Sequence, residues 1–101
     1  MDTDALIAHV RTRFDHETQK RLLREKYEAR MLFAHAGGMW RAGPELQTML
    51  LTCPDHEAVL LDLYQNPVRV VVAELMRESQ LRWQEQMSAW LVEWDQLRTR
   101  R

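Results

Sequence analysis

The last third of the chain, residues 73–98, constrains the fold most, because its large apolar side chains recur at heptad spacing. The stretch holds no Gly or Pro, and residues that favour helices fill most of its other positions. Eight positions form two rows along one side: Met76, Trp83, Trp90 and Leu97, then Ala73, Gln80, Met87 and Trp94. The pattern predicts one long helix over 72–98, whose indoles need apolar cover from the rest of the chain or from a partner.

The small size of the chain indicates how that cover is supplied. At 101 residues it is expected to form a single domain, 1–101, which buries only about two-thirds of the surface that its unfolded form exposes. Four Trp and six Met are many for such a core, so we expect part of the apolar stripe to be shared with another chain. The predicted partner interface consists of Trp40, Trp83, Met87, Trp90, Trp94 and Leu97.

The opening segment, 1–29, is predicted to form the other long helix. Asp2 or Thr3 can cap it, because a side-chain oxygen accepts hydrogen bonds from the free N–H groups of the first turn. Apolar residues then follow at helical spacing: Leu6, Ile7, Val10 and Phe14. Every residue from 15 to 21 is polar, so the helix is either solvated in its middle or broken near Asp15. We favour one long helix, straight or bent.

Residues 30–71 are predicted to hold a hairpin, a short helix and a second hairpin. Gly37-Gly38 stands between two apolar runs, and two glycines supply the positive φ that two-residue hairpin turns require. The alternative is that the first helix runs on to Ala36 and ends at Gly37, since Gly commonly follows a helix end. The hairpin register predicts these facing pairs: Phe33 with Ala42, His35 with Trp40, and Ala34 with Arg41.

The short helix and the second hairpin follow from proline positions. Gly43-Pro44-Glu45 is typical of a helix start, and the residue before Pro avoids helical angles, so this helix should stop before Cys53-Pro54. Two β-rich runs then flank a turn at Gln65-Asn66. A helix over 54–64 is the alternative for the first run. The predicted facing pairs are Leu63 with Val68, Leu61 with Val70, and Asp62 with Arg69.

These elements together predict an α+β fold in which long N- and C-terminal helices flank two β-hairpins and one short helix. The two hairpins could join in a four-stranded antiparallel sheet. An all-α helical bundle is the alternative, because both hairpin segments also admit a helical interpretation.

No catalytic, metal or cofactor site is predicted from the sequence. Four His and a single Cys show no spacing typical of metal ligands, and His56 between Asp55 and Glu57 is typical of an exposed polar loop. No apolar run is long enough to cross a bilayer. We therefore expect a protein that is not an enzyme and has no small-molecule substrate, no cofactor and no membrane partner.

Turn and packing residues spread over 25–97 resemble a family of small proteins of tailed bacteriophages, including T-even-like myoviruses of cyanobacteria. The residues that carry the resemblance are Tyr27-Glu28-Ala29-Arg30-Met31, Phe33, Gly37-Gly38, Pro44-Glu45-Leu46, 59–63, Asn66-Pro67-Val68, Glu74-Leu75, Arg82-Trp83, Met87, Trp90 and Glu93. The resemblance implies a component of the virion or of its assembly, located in the virion and, during assembly, in the host cytoplasm. Its partners would be itself, other virion proteins, or both.

A structural or interaction protein of a phage head, neck or tail is therefore the leading functional prediction. The alternative is a small nucleic-acid-binding or regulatory module that uses the basic segments 11–30 and 98–101. Residues 11–30 hold seven basic and four acidic side chains. The net charge of the chain is only −1, which counts against this alternative.

Overall fold

The computed structural model describes residues 3–99 as two 28-residue helices joined by two β-hairpins and a short helix. This confirms the predicted α+β fold and its order of elements, and the all-α alternative is wrong. The chain runs through α1 (Thr3–Arg30), β1 (Leu32–His35), β2 (Gly38–Arg41), α2 (Pro44–Leu51), β3 (Glu57–Leu61), β4 (Pro67–Val71) and α3 (Val72–Thr99). The cap predicted at Asp2 and the basic residues at 100–101 lie outside the described residues.

Helices α1 and α3 pack antiparallel, because residues earlier in α1 contact residues later in α3. The ring of Tyr27 stacks on that of Trp90, whereas the ring of His16 lies 6.4 Å from that of Trp94. The helix continues without a break through the polar run at 15–21, as predicted. Among its described residues, α1 buries only Tyr27.

The first hairpin is present, but its turn lies one residue earlier than predicted. Its two loop residues are Ala36 and Gly37, which both have positive φ, 54° and 81°. Gly38 is instead a strand residue, so the predicted register is wrong by two residues and the positive φ expected at Gly38 is absent. The observed pairs are Leu32 with Arg41, Phe33 with Trp40, Ala34 with Met39, and His35 with Gly38.

Gly38 is required for space rather than for backbone conformation. A Cβ there would lie 3.1 Å from Cγ2 of Val68 and 3.2 Å from both Cβ of Asp62 and Cζ2 of Trp40. The second hairpin therefore packs directly over the first turn, and this contact fixes Gly38 at the start of β2.

The second hairpin is also present, with a five-residue loop, 62–66, in place of the predicted two-residue turn. The predicted pair of Asp62 with Arg69 is wrong, because Arg69 lies opposite Val59 and forms an ion pair of 3.5 Å with Glu57. The full register pairs Glu57 with Val71, Ala58 with Val70, Val59 with Arg69, Leu60 with Val68, and Leu61 with Pro67. The two hairpins form two separate two-stranded sheets, so the four-stranded sheet is not formed.

Helix α2 begins and ends where the sequence predicts. Pro44 occupies its first turn, and Gly43 precedes it with φ of 141°. A Cβ on Gly43 would lie 3.2 Å from Cζ3 of Trp83, so this glycine also lets α3 approach the backbone closely. The hydrophobic core lies where α2, the hairpins and the first half of α3 meet. It consists of Met31, Phe33, Trp40, Ala42, Leu46, Leu50, Val70 and Leu75.

The exposed residue Ala36 gives a test of the first turn. Ala36→Gly should stabilise the protein by a few tenths to about 1 kcal/mol, because a Cβ at positive φ costs roughly 1–2 kcal/mol and the added chain entropy of Gly offsets only part of this. Urea unfolding of the two proteins measures the difference.

Ala34→Gly is the matched control, because Ala34 is also exposed but lies within β1. This substitution should cost about 0.5–1 kcal/mol. Equal destabilisation by the two substitutions would contradict the assignment of the turn to Ala36-Gly37.

Candidate interaction surface

The six residues predicted to contact a partner do not form one free surface. Trp40 is only 2% exposed, and its indole N–H donates a 2.9 Å hydrogen bond to the His35 carbonyl. Trp83 and Met87 are half-buried and pack against the core. These three side chains therefore stabilise the fold of this chain itself.

The other three predicted residues lie where α3 meets α1, and each is half-buried. The Trp90 ring lies 5.8 Å from the Tyr27 ring, with an angle of 8° between their planes. Lys20 places its Nζ 5.7 Å from the centre of the Trp94 ring, which is a cation–π contact. Leu97 lines an open cavity beside His9 and His16. As partner contacts, all six residues stay a prediction.

The heptad rows predicted for α3 match its buried side only in part. Ala73 and Gln80 are exposed, while the buried residues of α3 are Leu75, Ser79 and Gln86. A heptad pattern assumes one partner helix, whereas α2, β4 and α1 all pack on α3. The broader contact explains why two polar residues share the buried side.

An ion pair also joins the two long helices. Nζ of Lys26 lies 2.7 Å and 3.0 Å from the two carboxylate oxygens of Glu93. Hydrogen bonds from Lys26 and from the Tyr27 hydroxyl lower the pKa of Glu93, and the bond to Glu93 raises the pKa of Tyr27. The cluster thus fixes the position of α1 at its C-terminal half.

The N-terminal half of α1 has no such contact. Every residue from 3 to 15 is exposed, and the first half-buried residue is His16. At 1.5 Å per residue this free segment is about 20 Å long. It carries four large apolar side chains that are between 46% and 70% exposed: Leu6, Ile7, Val10 and Phe14. We call these four residues the N-terminal stripe.

The centre of the N-terminal stripe, at Ile7 and Phe14, lies on the side of α1 that faces away from α3, while Leu6 lies nearer the α3-facing side. Positions nine residues apart on a helix differ by about 180° around its axis, and Ile7 and Phe14 precede the α3-facing His16 and Leu23 by nine residues each. A longer α3 would therefore not cover the centre of the stripe. The sequence predicted these four residues to lie at helical spacing along α1, and they do.

Sequence analysis also missed Asp62, a buried carboxylate that joins the two hairpins. Its Oδ1 accepts hydrogen bonds from the backbone N–H groups of Tyr64 at 3.0 Å and Asn66 at 2.9 Å, and its Oδ2 accepts one from Met39 at 3.1 Å. The Leu63 N–H also donates to the Met39 carbonyl, at 2.8 Å. The backbone hydrogen bond from Asn66, followed by that from Met39, lowers the pKa of Asp62.

Within 3–99 there is no group of three or more His, Cys, Asp and Glu that could hold a metal ion. Nor is any helix in that range long and apolar enough to cross a membrane. The N-terminal stripe is one of the apolar surfaces that the described chain leaves exposed; Leu51, Val59, Leu61 and Tyr64 are also exposed.

Comparison with known proteins adds no relative: no family model, curated protein sequence or solved structure matches this chain.

Asp62→Asn tests the junction between the hairpins. The amide cannot carry the charge that attracts three N–H donors, so the melting temperature at neutral pH should fall. Asp95→Asn is the control, since Asp95 only pairs with Arg98 on the surface of α3 and should change the melting temperature little.

The difference between wild type and Asp62→Asn should also depend on pH. The pKa of Asp62 is lower in the folded protein than its ordinary 3.8, so its contribution is complete above 3.8 and is lost as pH falls through the folded value. Thermal unfolding between pH 7 and pH 2 should therefore show the two proteins converging in acid. This role would be contradicted if the two proteins had the same melting temperature at pH 7, or if the difference between their melting temperatures stayed unchanged in acid.

Proposed function

We propose that this protein is a non-enzymatic interaction component whose contact surface is the N-terminal stripe. The observation that carries the proposal is that every residue from 3 to 15 is exposed and that four of them are large apolar side chains at helical spacing. Contiguous apolar surface of this kind marks protein interaction sites.

The free segment needs a partner for a second reason. Helices in proteins take most of their stability from tertiary packing of an apolar face rather than from the helical propensity of their residues. α3 buries none of residues 3–15, although Leu97 lies beside His9, and a partner laid on the stripe would supply the missing packing. Binding would then stabilise the helix as well as bury the stripe.

The shape of the molecule supports display of this surface. The described chain measures 66 × 24 × 21 Å, and its core of hairpins, α2 and α3 lies at the opposite end from the stripe. The anchored half of α1, held by Tyr27 and Lys26, projects the free half away from the core. A partner can thus reach the stripe without displacing any part of the fold.

The resemblance to small proteins of tailed bacteriophages suggests the setting. We propose that the chain is a component of the virion, in the head, neck or tail, or a protein of its assembly, with itself or other virion proteins as partners. It would act in the virion and, before that, in the host cytoplasm. The pattern of contacts within the chain agrees with a binding role and requires no reaction.

The nucleic-acid-binding alternative has less support. Many basic side chains of 11–30 already have partners within the chain: Arg21 pairs with Glu25, Arg24 with Glu28 and Lys26 with Glu93, and Lys20 and Arg30 lie over aromatic rings. In the C-terminal basic segment, Arg98 pairs with Asp95. A surface that binds phosphates needs cations that are free to release counterions.

The proposal is tested in gradient-purified particles and assembly intermediates of the encoding phage, analysed by mass spectrometry. We expect the wild-type chain to be present, Val10→Glu to be lost, and Val92→Glu to be retained. The two valines are matched, because both lie on long helices and are 57% and 58% exposed. Absence of the wild-type chain from particles and intermediates alike would overturn the virion assignment, and equal retention of both variants would overturn the stripe as the contact surface.

A further inference from the structure

We propose that the N-terminal stripe binds the same stripe on a second copy of this chain, with the two α1 helices antiparallel. This rests on the proposed function, that the stripe is a contact surface, and it names the partner. The inference comes from how the residues of 3–14 are spaced along α1 and from the charges that flank them.

The spacing forms a short helix-pairing seam. Thr3, Ile7, Val10 and Phe14 are separated by four, three and four residues, which places them in one row facing a single partner helix. Leu6 borders the row and widens the apolar strip. The next two positions in the row are Glu17 and Arg21, so the apolar seam ends after Phe14.

An antiparallel pair matches these side chains by size. When the two-fold axis passes between residues 8 and 9, Ile7 of each copy faces Val10 of the other, and Thr3 faces Phe14. The largest side chain of the row is then opposite the smallest at both ends, while two branched side chains of similar size meet in the middle. Such a contact is isologous and closes on two copies.

The flanking charges complement each other in the same arrangement. Asp4 and Arg11 lie on one flank of the row, one heptad apart, and in an antiparallel pair this flank of one helix meets the same flank of the other. Each Asp4 therefore faces Arg11 of the second copy, which gives two opposite-charge contacts. On the other flank, Leu6 faces Arg13, whose aliphatic portion can cover it.

A parallel pair lacks this complementarity. It would place Phe14 on Phe14, and the row would continue with Glu17 against Glu17 and Arg21 against Arg21. Like charges at facing positions are destabilising. The charge pattern therefore selects the antiparallel pair and a second copy of this chain as the occupant of the stripe.

The contact is short, so association should depend on concentration. About three helical turns on each copy bury less than the roughly 1,200 Å² at which standard stable interfaces begin, which is the range of weak and transient complexes. A reversible monomer–dimer equilibrium is the expected state of the isolated protein.

Sedimentation velocity of the full chain over a wide range of concentrations tests the proposal. Wild type should shift from monomer to dimer, Val92→Glu should follow wild type, and Val10→Glu should raise the dissociation constant at least tenfold. Circular dichroism should show that both variants stay folded, because each replaces a residue that is more than half exposed. Wild type that stays monomeric throughout, or a dimer disrupted by Val92→Glu and not by Val10→Glu, would overturn the proposal.

Disulfide trapping tests the direction of the helices. In a Cys53→Ser background, Ile7→Cys and Val10→Cys chains are mixed and oxidised at low yield. An antiparallel pair should give mainly the mixed disulfide, because Ile7 and Val10 face each other and disulfides need Cα atoms within about 7 Å. Predominant disulfides between like chains would overturn the antiparallel arrangement.

The outcomes also separate this proposal from the proposed function. A monomeric wild-type protein whose retention in particles is nevertheless lost by Val10→Glu would overturn self-association alone. The stripe would then bind a different virion protein. If retention of the chain in particles does not depend on the stripe, the proposed function is overturned, whether or not the protein dimerises.

Discussion

The stack of Tyr27 on Trp90, with the Lys26–Glu93 ion pair beside it, is the interaction on which the arrangement of the molecule depends. Tyr27 is the only described residue of α1 that is buried, so α1 is held on α3 chiefly at this place. The ion pair is exposed to solvent and adds direction more than stability. Together they fix which side of α1 meets α3, and so they also fix that Ile7 and Phe14, at the centre of the N-terminal stripe, face away from it.

The stability of the protein is concentrated at the other end. There the two hairpins, α2 and the first half of α3 enclose the core. Asp62 joins the two hairpins by accepting hydrogen bonds from three backbone N–H groups. Two-stranded hairpins are marginal alone, so this packing is what makes each of them stable. A firm core that carries a long uncovered helix is an arrangement suited to binding.

Particular residues show how far sequence analysis reaches. The positions of proline and glycine in the sequence predicted α2 and both hairpins, because proline restricts the local backbone angles and glycine permits unusual ones. The registers were wrong for a non-local reason: Gly38 is needed to make room for Val68 and Asp62, and Ala36 accepts the positive φ that glycine was expected to supply. Turn chemistry alone could not reveal that contact between two hairpins.

The apolar side chains of α3 have more cover within the chain than the sequence predicts, for a similar reason. Tryptophans on α3 gave the strongest apolar signal, yet Gly43, Tyr27 and the core supply cover for them within the chain. The N-terminal stripe has a weaker apolar pattern in the sequence, but no part of the described chain buries it. This becomes visible only when the structure shows how much of α1 is paired with α3. The polar run at 15–21 was the available clue, since it ends the apolar row of α1 before the contact with α3 begins.

The central claim is that residues 3–15 receive their cover from outside the chain, and hydrogen exchange of the α1 amides tests it most directly. At high dilution, amides of the free segment should exchange rapidly while those near Tyr27 stay protected, because local stability follows local packing. Protection of the free segment should then rise with protein concentration. If residues 3–15 are as strongly protected as the segment around Tyr27 at the lowest concentration, the helix needs no partner and the account is contradicted.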